Sequence, residues 1–119
     1  MVASTWAEFT AGLDTEDLAK ITAFRDYCAG LPDSRERITS SQIAFAGKRT
    51  FASAYIKSHY LEIGIELLRR VTDPPPRTAF ATTKKVTMHR YSLRHLEEFN
   101  EAIRALIAEA AETVGPGFR

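Results

Sequence analysis

Apolar residues recur every three or four positions toward both ends of the chain, a period that predicts an amphipathic helix at each end. The first helix is predicted from about Glu16 to Ala29, with Asp14 or Thr15 as its cap and acidic residues in its first turn. The second is predicted to start at Leu96 and to keep its apolar stripe as far as Val114. Each helix therefore has one face to bury against the rest of the chain.

The pattern changes to strict alternation in the middle of the chain, which is typical of half-buried strands. It is clearest in the segment that holds Leu61, Ile63, Ile65 and Leu67. The predicted strands are Arg35–Thr39, Ile43–Ala46, Phe51–Lys57, Leu61–Leu67 and Val86–Leu93. Because short turns join most of them, adjacent strands must be antiparallel. The predicted fold class is therefore α+β, with an antiparallel sheet of about five strands and the N- and C-terminal helices packed on one face.

All 119 residues fit one domain of ordinary size. Residues 1–14 are predicted to be an N-terminal arm or a short helix, and residues 115–119 a frayed tail. Residues 71–83 are predicted to be a loop, because the consecutive prolines from Pro74 to Pro76 lack the backbone N–H groups that a strand or a helix needs. The prediction is thus one domain with one long internal loop.

The strand Phe51–Lys57 indicates how the two faces of the sheet differ. Its even positions are small or apolar, which suits close packing against helices. They are Ala52, Ala54 and Ile56. Phe51, Tyr55 and Lys57 then point to the opposite, open face. Aromatic rings beside a cation form a stacking surface for bases or another ring-bearing ligand, which makes Phe51 and Tyr55 stacking candidates. The same residues are equally typical of a second, smaller hydrophobic cluster.

Net charge is only +1, but the charge is distributed unevenly along the chain. Residues 1–34 sum to −4, residues 35–95 to +8 and residues 96–119 to −3. A basic middle segment between acidic ends has two interpretations. One is charge balance between a sheet and the helices that cover it, and the other is a basic face for an anionic partner.

Several residues are candidates for binding a carboxylate or a phosphate on such a face. They are Lys57, Lys84, Lys85, His89 and Arg90. If the last strand pairs near Lys57, these side chains form one patch in which Arg90 makes the bidentate contact. The alternative is that Lys84 and Lys85 only protect a sheet edge from pairing with other chains.

No arrangement typical of catalysis or of a bound cofactor stands out in the sequence. The glycines are isolated, so no phosphate-binding loop is predicted, and His89 and His95 are not spaced as a helical metal pair. The single cysteine, Cys28, excludes an internal disulfide and a cysteine zinc site. We therefore predict no catalytic residue, no cofactor and no metal.

The sequence also bears on location and on one class of partner. No apolar run approaches the ~20 residues of a membrane helix, and the N-terminal residues lack the basic start of a secretory signal. We therefore expect a cytoplasmic protein without a membrane partner. Neither terminal helix offers a basic face to the groove of duplex DNA. The oligomeric state is left open.

Three parts of the chain resemble a small bacterial family, a domain of unknown function. They are the strands from Ile43 to Leu67, the run Lys84-Lys85-Val86-Thr87-Met88-His89-Arg90, and the helix from Leu96. Similar domains also stand at the C-terminus of predicted transport proteins with nuclease-like regions. The resemblance implies the fold described above and carries no established activity.

A more distant resemblance is to iron-chaperone-like domains of the frataxin type, which clasp a sheet between terminal helices. That resemblance implies iron binding on an acidic helix surface, and the matching acids are Asp14, Glu16 and Asp17. Three acids within four positions cannot all point at one ion, so we interpret them as helix-start residues.

The function that these patterns favour is a non-catalytic binding or interaction domain, with the basic open face of the sheet holding an anionic partner. That partner is a small anionic ligand, a protein or a nucleic acid. The alternative is an accessory domain that binds single-stranded nucleic acid for a nucleic-acid enzyme. A third possibility is an enzyme that acts on a small metabolite, which requires a deep pocket with His89 or Tyr55 at its floor.

Overall fold

Two helices precede the sheet in the computed structural model, which describes residues 4–117. α1 is Trp6–Thr10 and α2 is Thr15–Ala29. Thr5 caps α1 and Asp14 caps α2, because each side chain accepts a hydrogen bond from the backbone N–H three residues ahead. Of the predicted N-terminal arm, residues 1–3 lie outside the described part of the chain.

Six strands form one antiparallel sheet, in the order β1-β2-β3-β4-β6-β5. They are β1 (Arg35–Ile38), β2 (Ile43–Ala46), β3 (Thr50–Lys57), β4 (Tyr60–Leu67), β5 (Thr78–Ala81) and β6 (Thr87–Leu93). The α+β class and the antiparallel sheet are confirmed, whereas the strand count of five is wrong. The additional strand is β5, which lies inside the segment 71–83 predicted as loop. A four-residue strand directly after three prolines has too few positions to show alternation.

The C-terminal helix starts later than its apolar stripe predicted. α3 is Glu101–Thr113, and the side chain of Asn100 caps it. Leu96–Glu98 form a separate 3-10 turn. The Glu98 carboxylate accepts hydrogen bonds from the backbone N–H groups of Arg94 and His95. The apolar spacing continues through both segments. The side chains of Glu98 and Asn100 nevertheless accept backbone hydrogen bonds at the start of the 3-10 turn and of α3, so the two segments are separate.

The buried residues of α2 and α3 share one hydrophobic core with the odd-numbered residues of β4. The core includes Ile21, Phe24 and Cys28 from α2, Ile103, Leu106, Ile107 and Ala110 from α3, and Leu61, Ile63, Ile65 and Leu67 from β4. Ala52 and Ala54 of β3 lie opposite Ile65 and Ile63 and are buried in the same core. Cross-strand partners point to the same side of a sheet, so this register decides which residues of every strand face the core.

The remaining residues form what we call the open face. It consists of the even-numbered residues of β4 and their cross-strand partners. They are Tyr60, Glu62, Gly64 and Glu66 of β4, Ser53, Tyr55 and Lys57 of β3, Met88, Arg90 and Ser92 of β6, Thr78 and Phe80 of β5, Ala44 of β2 and Arg37 of β1.

A close backbone approach joins the β2–β3 turn to the end of α3. The N–H of Arg49 donates to the carbonyl oxygen of Gly115 at 3.0 Å. A Cβ at Gly47 would lie 2.6 Å from that oxygen, so the approach requires a glycine. Gly115 begins the tail predicted to fray, yet it is buried and hydrogen-bonded here. Residues 118 and 119 of that tail lie outside the described residues.

Candidate anion-binding face

Two arginines stand in one cross-strand row of the open face. The row runs from Arg37 through Ala44, Ser53 and Gly64 to Arg90. Neighbouring strands lie about 4.8 Å apart, so four strand steps separate the Cα atoms of the two arginines by about 19 Å. The side chains between them are small, the Met88 side chain lies against Gly64, and both ends of the row are cationic.

The two acidic residues of the open face are both compensated within the protein. Glu62 accepts a hydrogen bond from Ser92 Oγ at 2.6 Å and pairs with Arg77 at 3.3 Å. Glu66 pairs with Arg49 at 3.1 Å. These contacts neutralise the carboxylates locally, so they oppose an incoming anion less than free carboxylates would.

Three cations of the open face are not compensated in this way. Within residues 4–117, no carboxylate lies at ion-pair distance from Arg37, Lys57 or Arg90. Arg37 and Lys57 are exposed, and Arg90 is half-buried. The open face therefore carries positive charge that the protein itself does not neutralise.

Aromatic side chains lie among these cations. Tyr55 is half-buried and opposite Glu62. The Arg94 guanidinium lies 5.9 Å from the centre of the Tyr60 ring, and that of Arg90 lies 5.5 Å from the centre of the Phe80 ring. Both distances suit a cation–π contact. A shallow hollow of about 430 Å³ opens beside Tyr60. Its lining residues are Lys57, Ser58, Tyr60, Glu62, Arg77 and Ser92.

The structure separates the lysines that the sequence grouped together. Lys57 ends β3, whereas Lys84 and Lys85 lie in the loop between β5 and β6. The seven residue steps of β4 that separate these two ends of the sheet span about 23 Å. The grouping assumed that the last strand pairs near Lys57, but β6 pairs with β4 and β5. Of the predicted anion-binding residues, only Lys57 and Arg90 therefore belong to the open face.

Two further candidates face the core. Phe51 is buried and belongs to the core cluster. A register shift between Phe45 and Ala46 lies beside it, and such a bulge interrupts the alternation on which the prediction relied. His89 is fully buried and lies opposite Ile65, a core residue. Tyr55 remains on the open face as predicted, whereas Phe51 and His89 do not.

His89 anchors the loop that follows β4. Its Nε2 atom accepts a hydrogen bond of 2.9 Å from the backbone N–H of Val71, so Nδ1 carries the proton of the neutral ring. Burial lowers the pKa of His89, and the nearby charges of Arg70 and Arg69 lower it further. The folded protein therefore favours the neutral ring.

We expect the free energy of unfolding to fall as the pH drops below about 6.5. The unfolded chain binds a proton at His89 in that range, whereas the folded chain does so only at lower pH. For one proton the slope is at most about 1.4 kcal/mol per pH unit. Urea unfolding of wild type and His89→Gln at pH 7.5, 6.5 and 5.5 measures it. The slope should be smaller in His89→Gln than in wild type. Equal slopes in the two proteins would contradict the prediction.

A buried ion pair lies where α2 meets the β3–β4 turn. Lys20 and Asp17 are both buried, and Lys20 Nζ lies 3.1 Å from Asp17 Oδ1. Lys20 Nζ also donates to the backbone carbonyls of His59 and Arg94. The ammonium is thus held by two backbone carbonyls and by the opposite charge of the Asp17 carboxylate. This arrangement joins α2 to the β3–β4 turn and to the end of β6.

Sequence reasoning missed this pair because it followed only the apolar stripe of α2. Leu18 continues the three- and four-residue spacing of the buried residues Ile21, Phe24 and Cys28, but it is 39% exposed. Asp17 was interpreted only as a residue of the first helical turn. The available signal was the spacing of Lys20, three residues after Asp17 and four before the buried Phe24, which puts all three on one helix face.

Asp14, Asp17 and His59 have atoms that could bind a metal ion within 4.8 Å of one another. His59 Nδ1 lies 2.9 Å from Asp17 Oδ2. Burial raises the pKa of Asp17, but hydrogen bonds from His59 and Lys20 outweigh that effect and hold the pKa below its usual value. Because the Lys20 ammonium already balances this carboxylate, a divalent cation would meet a positive charge there.

The enzyme hypothesis requires a deep pocket with His89 or Tyr55 at its floor, and the cavity at the end of α3 contains neither residue. This cavity of about 680 Å³ lies between the loop after α2, the β2–β3 turn and the end of α3. Its lining includes Pro32, Arg35, Lys48, Phe51, Ala111 and Pro116, and neither His89 nor Tyr55. Burial raises the pKa of the Cys28 thiol, which disfavours a nucleophilic thiolate.

None of the helices in residues 4–117 has the length and apolar character of a membrane-spanning segment.

The fold and the open face together define a small α+β domain with an antiparallel sheet and a partly uncompensated basic surface. The chain belongs to a family described as "Domain of unknown function (DUF5655)", whose model matches residues 18–114. The resemblance to a domain-of-unknown-function family is thereby confirmed. No match was found among the curated proteins or among the solved structures.

Proposed function

We propose that this domain is a non-catalytic binding module whose open face holds an anionic partner. The observation that carries the proposal is the charge pattern of that face. Arg37, Lys57 and Arg90 have no carboxylate partner among the described residues, whereas Glu62 and Glu66 are each paired with an arginine. An anion on this face gains attraction from the cations and meets little opposing charge.

The position of the cations supports an extended partner rather than a single small ion. Arg37 and Arg90 are about 19 Å apart across the sheet, by four strand spacings. A single phosphate or carboxylate spans only a fraction of that distance. A chain that repeats its negative charge can contact both arginines at once and reach Lys57 at the end of β3.

The test compares two double charge reversals that change the net charge equally. Arg37→Glu/Arg90→Glu alters the open face, and Lys48→Glu/Lys84→Glu alters exposed loop lysines. The probe is a fluorescein-labelled oligothymidylate of twelve nucleotides, with inorganic polyphosphate as competitor. Exposed charge contacts contribute up to ~1 kcal/mol each, and each reversal also puts a repulsive charge in place of the attractive one, so reversing two should weaken binding by about tenfold or more. The loop variant should bind within about twofold of wild type, measured by fluorescence anisotropy.

Because Arg90 is half-buried, Arg37→Glu/Lys57→Glu repeats the test with two exposed residues. Circular dichroism establishes that each variant is folded before binding is measured. Equal weakening by the open-face and the loop variants would show that net charge alone matters and would overturn the proposal, as would wild-type affinity in both open-face variants.

The aromatic residues of the open face favour single-stranded nucleic acid as the second candidate partner. Tyr55, Tyr60 and Phe80 lie on the same face as the cations, and base–aromatic stacking contributes ~1–3 kcal/mol per base. If bases stack there, Tyr55→Ala should weaken oligothymidylate binding at least about fivefold and leave polyphosphate binding unchanged. A parallel loss for both probes would favour a partner that is recognised by charge alone.

A further inference from the structure

The two edges of the sheet differ in the charge that their own side chains carry. The β1 edge carries Arg35, Glu36 and Arg37, and the backbone N–H of Ser4 donates to the Ile38 carbonyl at 3.0 Å. The β5 edge, Thr78–Ala81, has no charged side chain, although Arg70 donates to its Ala79 carbonyl much as Ser4 donates to that of Ile38. Exposed edges are usually protected by charge, by proline or by a covering segment, because their unpaired N–H and C=O groups can pair with another chain.

We propose that β5 is a docking edge to which an acidic, extended peptide segment of a partner protein adds as a further strand. Phe80 of this strand is 41% exposed on the open face. It offers an apolar contact to a side chain on the added strand, as neighbouring residues on adjacent strands commonly do. Strand addition takes its affinity from main-chain hydrogen bonds and its selectivity from side chains at alternate positions.

Charge decides what kind of strand fits this edge. Arg70 donates to the carbonyl of Ala79 at 3.3 Å, so a guanidinium lies directly at β5. Arg77, which pairs with Glu62, precedes the strand, and the exposed Lys84 lies in the loop that follows it. These cations border both ends of a four-residue strand, so they attract carboxylates on an incoming peptide.

The same charges argue against self-association through this edge. If two copies paired β5 with β5 in antiparallel fashion around a two-fold axis, Arg77 of one copy would approach Lys84 and Lys85 of the other. Like charges at such short range disfavour the pairing. An acidic segment of a different protein therefore fits the β5 edge better than a second copy of this chain does.

This site is separate from the proposed anion-binding row of the open face, although the two are close. The row depends on Arg37, which belongs to the opposite edge strand. The edge site depends on the backbone of β5 and on Arg70. Variants at Arg37 and Arg70 therefore test the two proposals separately.

The experiment titrates the whole ¹⁵N-labelled chain with the capped peptide acetyl-Glu-Val-Glu-Val-Glu-Val-amide. Two matched peptides serve as controls, one with lysine in place of each glutamate and one with proline in place of the central valine. The acidic peptide should shift the amide signals of β5 and slow their hydrogen exchange, whereas those of β1 should stay unchanged. The lysine and proline peptides should bind at least about tenfold more weakly. The lysine peptide lacks the negative charge, and the proline peptide lacks a backbone N–H that would donate to β5.

Variants of the protein complete the test. Arg70→Glu should weaken binding of the acidic peptide at least about fivefold, and Lys48→Glu, an exposed loop change outside both proposed sites, should leave it within about twofold of wild type. Equal binding of all three peptides, signal shifts at β1 rather than β5, or no effect of Arg70→Glu would each overturn the proposal. Sedimentation that shows a dimer broken by Phe80→Lys would also overturn it, because the occupant of the edge would then be a second copy.

Discussion

Lys20→Met is expected to lower the free energy of unfolding by about 3–5 kcal/mol. Lys20 is only 2% exposed, and its ammonium is bound to the Asp17 carboxylate and to the carbonyls of His59 and Arg94. Methionine fills a similar volume but donates no hydrogen bond, so it leaves the buried carboxylate without its compensating charge. Urea unfolding followed by circular dichroism at pH 7.5 measures the change.

Two further variants distinguish the loss of the compensating charge from a change in side-chain packing. Lys57→Met is the matched control, since Lys57 is exposed and its replacement should change the free energy of unfolding by less than about 0.5 kcal/mol. Asp17→Leu/Lys20→Met removes both charges and should recover at least half of the loss, because no uncompensated charge remains buried. A double variant as unstable as the single one would contradict this explanation.

Phe24→Ala is expected to have a similarly large effect, about 3–5 kcal/mol, because it leaves a cavity between three elements. Phe24 of α2 is fully buried. Its ring centre lies 5.9 Å from that of Phe45 on β2 and 6.4 Å from that of Phe99, which precedes α3. Both ring pairs have the edge-to-face geometry that adds to the stability of buried aromatic clusters.

Leu18→Ala is the control on the same helix, since Leu18 is 39% exposed. Its loss in unfolding free energy should stay below about 1 kcal/mol. The two variants thus compare a buried and an exposed apolar residue of α2 in one urea-unfolding series. A loss below about 1.5 kcal/mol for Phe24→Ala would mean that the surrounding core relaxes to fill the space.

The start of α2 and the longer strands could be predicted because they depend on local signals. Asp14 caps α2 as expected, and the alternating residues from Leu61 to Leu67 form β4 with their side chains in the core. The prediction failed where a short-range signal was missing or misleading. β5 is too short to show a period, and the bulge beside Phe51 breaks the period that placed that residue on the open face.

The candidate site could be predicted only in part. Tyr55 and Lys57 lie on the open face as expected, and Arg90 lies there although the pairing assumed for it was wrong. His89 faces the core instead, because its side depends on pairing with β4. Arg37 was overlooked, since nothing in its neighbourhood along the chain relates it to Arg90. Only the register from β1 through to β6 brings these two arginines into one row.

The amino-acid sequence by itself determined the α+β class, the approximate bounds of most elements and the basic character of the middle of the chain. Hydrophobic period, capping residues and composition are local properties, so they can be read without coordinates. The tertiary structure alone decided that β6 lies between β4 and β5, that Lys20 and Asp17 are buried together, and which cations keep no carboxylate partner. These features depend on contacts with residues far apart in the chain, such as those of Lys20 with His59 and Arg94, and such contacts leave no periodic signal in either partner.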